Sequence, residues 1–121
     1  MSANATLKLY GIKNCDTMKK AMLWLSDNGV GFEFIDYKKP GVVGDRLPHW
    51  LAVAGADVLL NRRGLMWKKL SESERENVDA KKAAGLMTTY PALIKRPVLE
   101  IGNELLVGFD PVVYSQRFAK D

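Results

Sequence analysis

Cys15 is the residue best suited to do chemistry in this chain. It is the sole cysteine among 121 residues, and His49 is the sole histidine. One thiol forms no intramolecular disulfide, and one Cys with one His falls short of the four ligands of a Cys/His zinc cluster. A Ser-His-Asp relay or a carboxylate-metal site would have to share His49. Met18 stands three residues beyond Cys15, so there is no C-x-x-C pair and no built-in resolving thiol. Ala21 stands six beyond, so the C-x5-R loop of tyrosine phosphatases is absent. His49 follows Pro48 in a polar segment that reads as a helix start, and is expected on the surface and not as a Cys-His partner. What remains is a thiol activated by helix and cations.

The position of Cys15 suits that role. It lies in the loop after a first strand, at or just before the first turn of a first helix. Unpaired N–H groups and the positive end of the helix dipole favour a thiolate there. A free cysteine has a pKa of about 8.5, which a helix N-terminus or a nearby cation lowers. Lys13 flanks the thiol and Lys19 lies one turn on. Asp16 opposes them, although a carboxylate also suits a first helical turn. The competing reading is a small buried hydrophobe, a common fate of free cysteine; position favours the reactive one.

The elements that must hold this thiol alternate between two periods. Residues 6–10 alternate in character and stop at Gly11, as a strand does. Met18, Ala21, Met22 and Leu25 recur at spacings of three and four, predicting a helix from Thr17 to about Asn28, with Asn28-Gly29 as its stop. Phe32 and Phe34 alternate with Glu33 and Ile35 in a second strand closed by Lys39-Pro40-Gly41. Residues 42–90 read as helical. Asp45 is expected to cap a segment through Leu47, Trp50 and Leu51 to a stop at Gly55. Ser71 and Glu74 fit a capping box, and Asp79 opens an amphipathic stretch that ends at Pro91. Residues 97–101 and 104–107 flank Gly102-Asn103, a two-residue hairpin signal. Asp110-Pro111 places a cap and an N1 proline before a last helix to about Ala119.

The order is therefore β-α-β, helical insert, β-β-α. A βαβ unit and a ββα unit combine into one four-stranded mixed sheet with helices on both faces, an α/β arrangement of the thioredoxin type. The chain reads as a single domain over residues 1–121, its core at about 6–40 and 91–119 and its insert at about 42–90.

Composition bounds the partners. Eighteen Lys and Arg against fourteen Asp and Glu give a net charge of +4. The charge is spread over the pairs Lys19-Lys20, Lys38-Lys39, Arg62-Arg63, Lys68-Lys69 and Lys81-Lys82, with no block of five or six. That pattern fits a solvated surface and argues against nucleic-acid binding. The start of the chain has no basic stretch followed by an apolar one, and no apolar run approaches the ~18 residues of a membrane span. The expectation is a cytoplasmic protein with no membrane partner, where a lone thiol stays reduced. A chain of this size suffices for a stable monomer.

Four ordered segments carry a family resemblance. Tyr10-Gly11-Ile12-Lys13-Asn14-Cys15-Asp16-Thr17-Met18-Lys19-Lys20-Ala21 closely resembles the cysteine loop of the ArsC/Spx group, and within it the YffB-like branch. Leu59-Leu60-Asn61-Arg62-Arg63-Gly64, Leu93-Ile94-Lys95-Arg96-Pro97 and Leu106-Val107-Gly108-Phe109 resemble three further segments in the same order. The resemblance spans residues 6–118 and implies a thioredoxin-like fold with an inserted helical subdomain. It implies that Cys15 is the nucleophile. It implies that Arg96 precedes a proline, Pro97, whose peptide bond is cis and sets the backbone beside the thiol. Arg63 matches an arginine of the Spx-like and YffB-like branches, with adjacent Arg62 as the other residue that could face the thiol. A solvated basic turn is the plainer reading of both. Asn14, Lys19 and Pro97 complete the substrate- and glutathione-binding side.

Departures from the pattern shape the expected activity. The glutaredoxin-coupled arsenate reductases of the group carry His-Asn before their cysteine, where Gly11-Ile12 stands here. They carry an arginine near Val107-Gly108-Phe109, and another where Lys19 stands. An arsenate intermediate needs several converging cations. The Spx regulators generally switch through C-x-x-C, which Met18 removes. Gly55 matches an RNA-polymerase-contacting glycine of those regulators, though a helix stop also calls for glycine. The resemblance and the lone thiol together imply an oxidoreductase: a glutathione-dependent monothiol reductase acting on a disulfide or oxidised sulfur. Glutathione is then a co-substrate and glutaredoxin a further thiol donor, with no tightly bound cofactor and no metal. The alternatives are a glutathione- and glutaredoxin-coupled arsenate reductase and a non-catalytic RNA polymerase-binding regulator.

Overall fold

The computed structural model describes residues 7–118. The chain divides into two compact units, one made of the residues up to Asp36 with those from Arg96 onward, the other of Tyr37–Lys95.

The first unit is built on a four-stranded sheet of order β2-β1-β3-β4. Strand β1 is Leu7–Gly11 and β2 is Phe32–Asp36. They run parallel, with Leu9 opposite Phe34. Strands β3, Val98–Ile101, and β4, Glu104–Val107, form the hairpin expected around Gly102-Asn103. Strand β3 is antiparallel to β1, with Leu9 opposite Leu99 and Tyr10 opposite Val98. Thr6, expected to open β1, lies outside the described residues, as does Ala119 at the end of the last helix.

Helix α1, Asp16–Asp27, crosses from β1 to β2 and buries Met18, Ala21 and Leu25, a stripe at helical spacing. Helix α7, Pro111–Arg117, begins with Asp110 Oδ1 accepting from the Val112 amide at 2.9 Å, as the Asp-Pro pair predicts. Both helices pack on one cluster formed by Leu7, Leu9, Met18, Ala21, Leu25, Leu99 and Tyr114. Within this unit the two helices therefore share one face of the sheet. The Leu7, Leu9 and Leu99 side chains all turn to that side. The Tyr114 ring meets Trp24 at 5.5 Å and Phe109 at 4.8 Å, both edge-to-face.

The second unit is helical. Helix α2 is Val42–Ala54, followed by α3, Ala56–Leu59, α4, Leu65–Lys69, α5, Glu72–Arg75, and α6, Ala80–Thr89; a 3₁₀ turn covers Pro91–Leu93. Helices α2, α3 and α6 pack together, burying Trp50, Leu59 and Met87 completely. Tyr37 Oη donates to the Ile94 carbonyl at 2.8 Å, tying both ends of the unit to each other.

Caps account for several boundaries here. The box at Ser71 forms in both directions, with Ser71 Oγ accepting from the Glu74 amide at 3.1 Å and Glu74 Oε1 from the Ser71 amide at 2.8 Å. Asp79 Oδ1 caps α6 by accepting from the Lys82 amide. Asp45 does not cap α2. The helix starts earlier, from Gly41, whose carbonyl accepts the Asp45 amide at 3.0 Å, so Asp45 lies in the first turn. Pro48 sits inside α2 at an exposed position and has no N–H to offer the Gly44 carbonyl. His49 is corrected with it. Placed mid-helix, it is half-buried, and its Nε2 is buried without a hydrogen-bond partner. The stop at Gly55 stands, with φ of +87°.

Candidate active site

The thiol owes its place to strand register. Strands β1 and β3 are antiparallel with Tyr10 opposite Val98, so the chain leaving β1 and the chain entering β3 meet at the same end of the sheet. Residues 12–15 follow β1 and Arg96-Pro97 precede β3. The Arg96-Pro97 peptide bond is cis, as the resemblance implied. The buried Pro97 accepts the Gly108 amide on its carbonyl at 2.8 Å, which ties the entry of β3 to the exit of β4.

Cys15 is the N-cap residue of α1, with extended backbone at φ −140° and ψ 127°. Its carbonyl accepts the Lys19 amide at 3.0 Å, and its own amide donates to the Lys13 carbonyl at 3.1 Å. The thiol is free and half-buried. Burial alone pushes its pKa up. The Met18 amide, the Arg96 side chain and the Thr17 amide direct N–H groups at the sulfur, and the Arg96 charge adds to them. Together they outweigh burial and hold the thiol below its ordinary value of 9.0. The neutral sulfur closes no capping hydrogen bond; these donors count once the sulfur is charged.

The structure thus brings Cys15, Arg96 and Pro97 together in the first unit. Asn14 and Lys19 are near Cys15 in sequence and both are exposed. Arg63 lies in the second unit, on a turn after α3, where its amide donates to Asn61 Oδ1 at 3.0 Å. Neighbouring Arg62 is 3.8 Å from Asp57 and stacks over the Trp67 ring at 5.3 Å. The Thr17 and Met18 amides were not singled out from the sequence, though their pattern could have supplied them: an N-cap side chain faces the amides two and three residues on. Among the described residues, no three His, Cys, Asp or Glu side chains group as metal ligands would. Nor is any helix among them long and apolar enough to cross a membrane.

Comparison with known proteins agrees with this architecture. The family model described as the ArsC family matches residues 10–116. A protein of Haemophilus influenzae described as uncharacterized is 36% identical over 113 residues, covering 93% of this chain and 99% of its own. Among solved structures, a protein named YFFB is 46% identical over 94% of this chain and 100% of its own, with a TM-score of 0.87. An arsenate reductase (ArsC) related protein from Brucella melitensis is 45% identical over 99% of this chain and 100% of its own, with a TM-score of 0.79. With its mixed four-stranded sheet, cysteine at the head of α1 and arginine before a cis-proline, the chain belongs to the ArsC family.

Proposed function

We propose that the protein is a glutathione-dependent monothiol reductase acting on a disulfide or a similarly oxidised sulfur. The observation that carries this reading is the convergence of the Arg96 side chain and the Met18 and Thr17 amides on one half-buried thiol. The thiolate is the nucleophile in such exchange, so a thiol held below 9.0 is armed for it. The Cys15 thiolate attacks the glutathione sulfur of a mixed disulfide R–S–S–G. The Cys15–SG bond forms, the S–S bond between RS and that sulfur breaks, and RS⁻ leaves to take a proton from water. A second glutathione thiolate then attacks the Cys15 adduct, releasing glutathione disulfide and restoring the Cys15 thiolate. One substrate disulfide is reduced and one glutathione disulfide appears.

Met18 stands where a resolving cysteine would, so the second thiol comes from solution or from a glutaredoxin. Arg96 steadies the sulfur charge. Arg96 and Arg63 are the cations for glutathione carboxylates, with Asn14 and Lys19 as further polar contacts. No resident cofactor takes part. The reducing cytoplasm, rich in glutathione, is the compartment this cycle needs.

Mass spectrometry after exposure to oxidised glutathione tests the reading, with Cys15→Ser as the control. One glutathione adduct on the wild type and none on the variant is the expected result. An unmodified Cys15 would sink the reading. Run in parallel, a glutathione reductase-coupled assay with glutaredoxin and arsenate should show no arsenate-dependent NADPH oxidation. A clear arsenate signal would instead assign the activity named for the Brucella relative.

A further inference from the structure

The helical unit holds a polar site of which the exchange cycle, as proposed, uses only Arg63. Leu60 and Ile94 form an isolated antiparallel bridge. On either side of it the Asn61 amide donates to the Leu93 carbonyl at 2.8 Å and the Lys95 amide to the Leu59 carbonyl at 2.8 Å. Main-chain bonds therefore fix these two segments side by side. Beyond the bridge the chain turns, with Asn61 Oδ1 holding the Arg63 amide. A Cβ on Gly64 would come within 2.8 Å of Asn61 Nδ2, so any larger residue there would push the Asn61 amide off the turn.

The segments line an open cavity of about 450 Å³ formed by Asp57, Leu60, Asn61, Arg62, Arg63 and Lys95. Three cations line it against one carboxylate. Asp57 is 98% exposed and 3.8 Å from Arg62, so water screens much of its pull. Two of the positive charges, Arg63 and Lys95, are left without a carboxylate within the lining, and main-chain bonds hold the segments that carry them side by side, so like charges repel across one lining. A bound anion relieves that repulsion. The volume falls in the range of small-molecule sites, roughly 300–1,000 Å³, well above what one inorganic oxyanion fills.

The geometry points to this cavity as the binding site for a carboxylate of a short peptide ligand, with Lys95 and Arg62 holding it together with Arg63. A guanidinium grips a carboxylate through two parallel N–H···O bonds, and the lysine adds a point charge that adapts to the ligand. The ligand's identity as a glutathione-type peptide rests on the reductase reading; the cavity itself makes no use of Cys15.

The test uses the full chain carrying Cys15→Ser, which binds without exchange, and S-methylglutathione as the probe, followed by calorimetric titration. The free acid should bind at least about tenfold more tightly than its diethyl ester, and more weakly as salt rises. Lys95→Gln and Arg62→Gln should each lower the affinity for the acid about tenfold, leave the ester unchanged, and keep the helical circular dichroism. Lys95→Arg should restore most of the loss. Equal affinity for acid and ester, or no change in both Gln variants, would overturn the proposal. Inorganic phosphate binding as tightly as the peptide would overturn it too, marking a plain anion site. Adduct formation at Cys15, measured with the thiol intact, keeps the two readings apart. A normal adduct with Lys95-independent binding removes the cavity and leaves the reductase. Lys95-dependent binding with no adduct does the reverse.

Discussion

In the sheet unit the charge of interest is made by the fold, whereas in the helical unit charges arrive with their side chains and the fold only gathers them. Cys15 is neutral as free cysteine at neutral pH. Here it is drawn toward the anion by a balance in which burial opposes the Met18 and Thr17 amides and the Arg96 guanidinium. Arg62, Arg63 and Lys95 are cationic side chains that a two-residue bridge with an asparagine turn sets around a cavity. The first kind of site depends on burial and on donors aimed at one atom; the second depends on a side-chain amide and two backbone bonds.

That contrast can be broken most directly at the core. Leu25 is fully buried against Leu9 and its neighbours, and Leu25→Ala is expected to cost about 2–5 kcal/mol in urea unfolding. Because α1 carries the thiol's amide donors at its other end, the variant should also react more slowly with iodoacetamide at neutral pH. Unchanged alkylation beside a large loss of stability would show that the thiol's setting is more robust than its register suggests.

A smaller effect isolates the guanidinium. Arg96→Gln should raise the Cys15 pKa, read from the pH dependence of alkylation. The sign for stability follows. A thiol held below its ordinary 9.0 in the folded state contributes stability that is fully present above pH 9 and is lost as pH falls through the folded-state pKa. Wild type should therefore gain stability on going from neutral to alkaline pH relative to Cys15→Ser, and Arg96→Gln should show a smaller gain. Identical pH profiles for wild type and Arg96→Gln would remove Arg96 from the site.

The smallest effect lies in the helical unit. Ser71→Ala breaks the box that starts α5 and should cost about 1 kcal/mol. Glu74, held below the usual carboxylate range by the Ser71 amide and the Tyr90 hydroxyl, contributes stability present above pH 4.5 and lost as pH falls through its lowered pKa. The variant should flatten that acid limb without touching Cys15 alkylation. A change in alkylation would mean that the two units are coupled more tightly than their separate cores imply.

These differences track what a sequence can show. Short-range chemistry was readable: the α1 stripe at Met18, Ala21 and Leu25, the Gly102-Asn103 hairpin, the Ser71 box and the Asp110-Pro111 start all depend on residues within a few positions of one another. Asp45 failed because α2 starts a turn earlier, from Gly41, where no side-chain cap marks the start. His49 failed with it, since half-burial is set by tertiary packing. The pairing of Cys15 with Arg96 joins residues far apart in the chain. Periodicity is silent on that; the resemblance supplied it, and the β1–β3 register explains it. Lys95 stood in a recognised segment with no role, because only the Leu60–Ile94 bridge places it beside the Asn61 turn.

Met18 gives the cysteine loop one last property. It is fully buried, and its sulfur lies so close to the Gly11 backbone that a Cβ at Gly11 would collide with it. The position three residues after the thiol is thus a wedge between helix and strand. A cysteine there is shorter than methionine and would leave a void at this wedge, at a cost of about 2–5 kcal/mol if it behaves as other large-to-small core changes do. Converting this protein to a self-sufficient dithiol therefore carries a cost in core packing. On the reading proposed above, dependence on an outside reductant is built into the hydrophobic core.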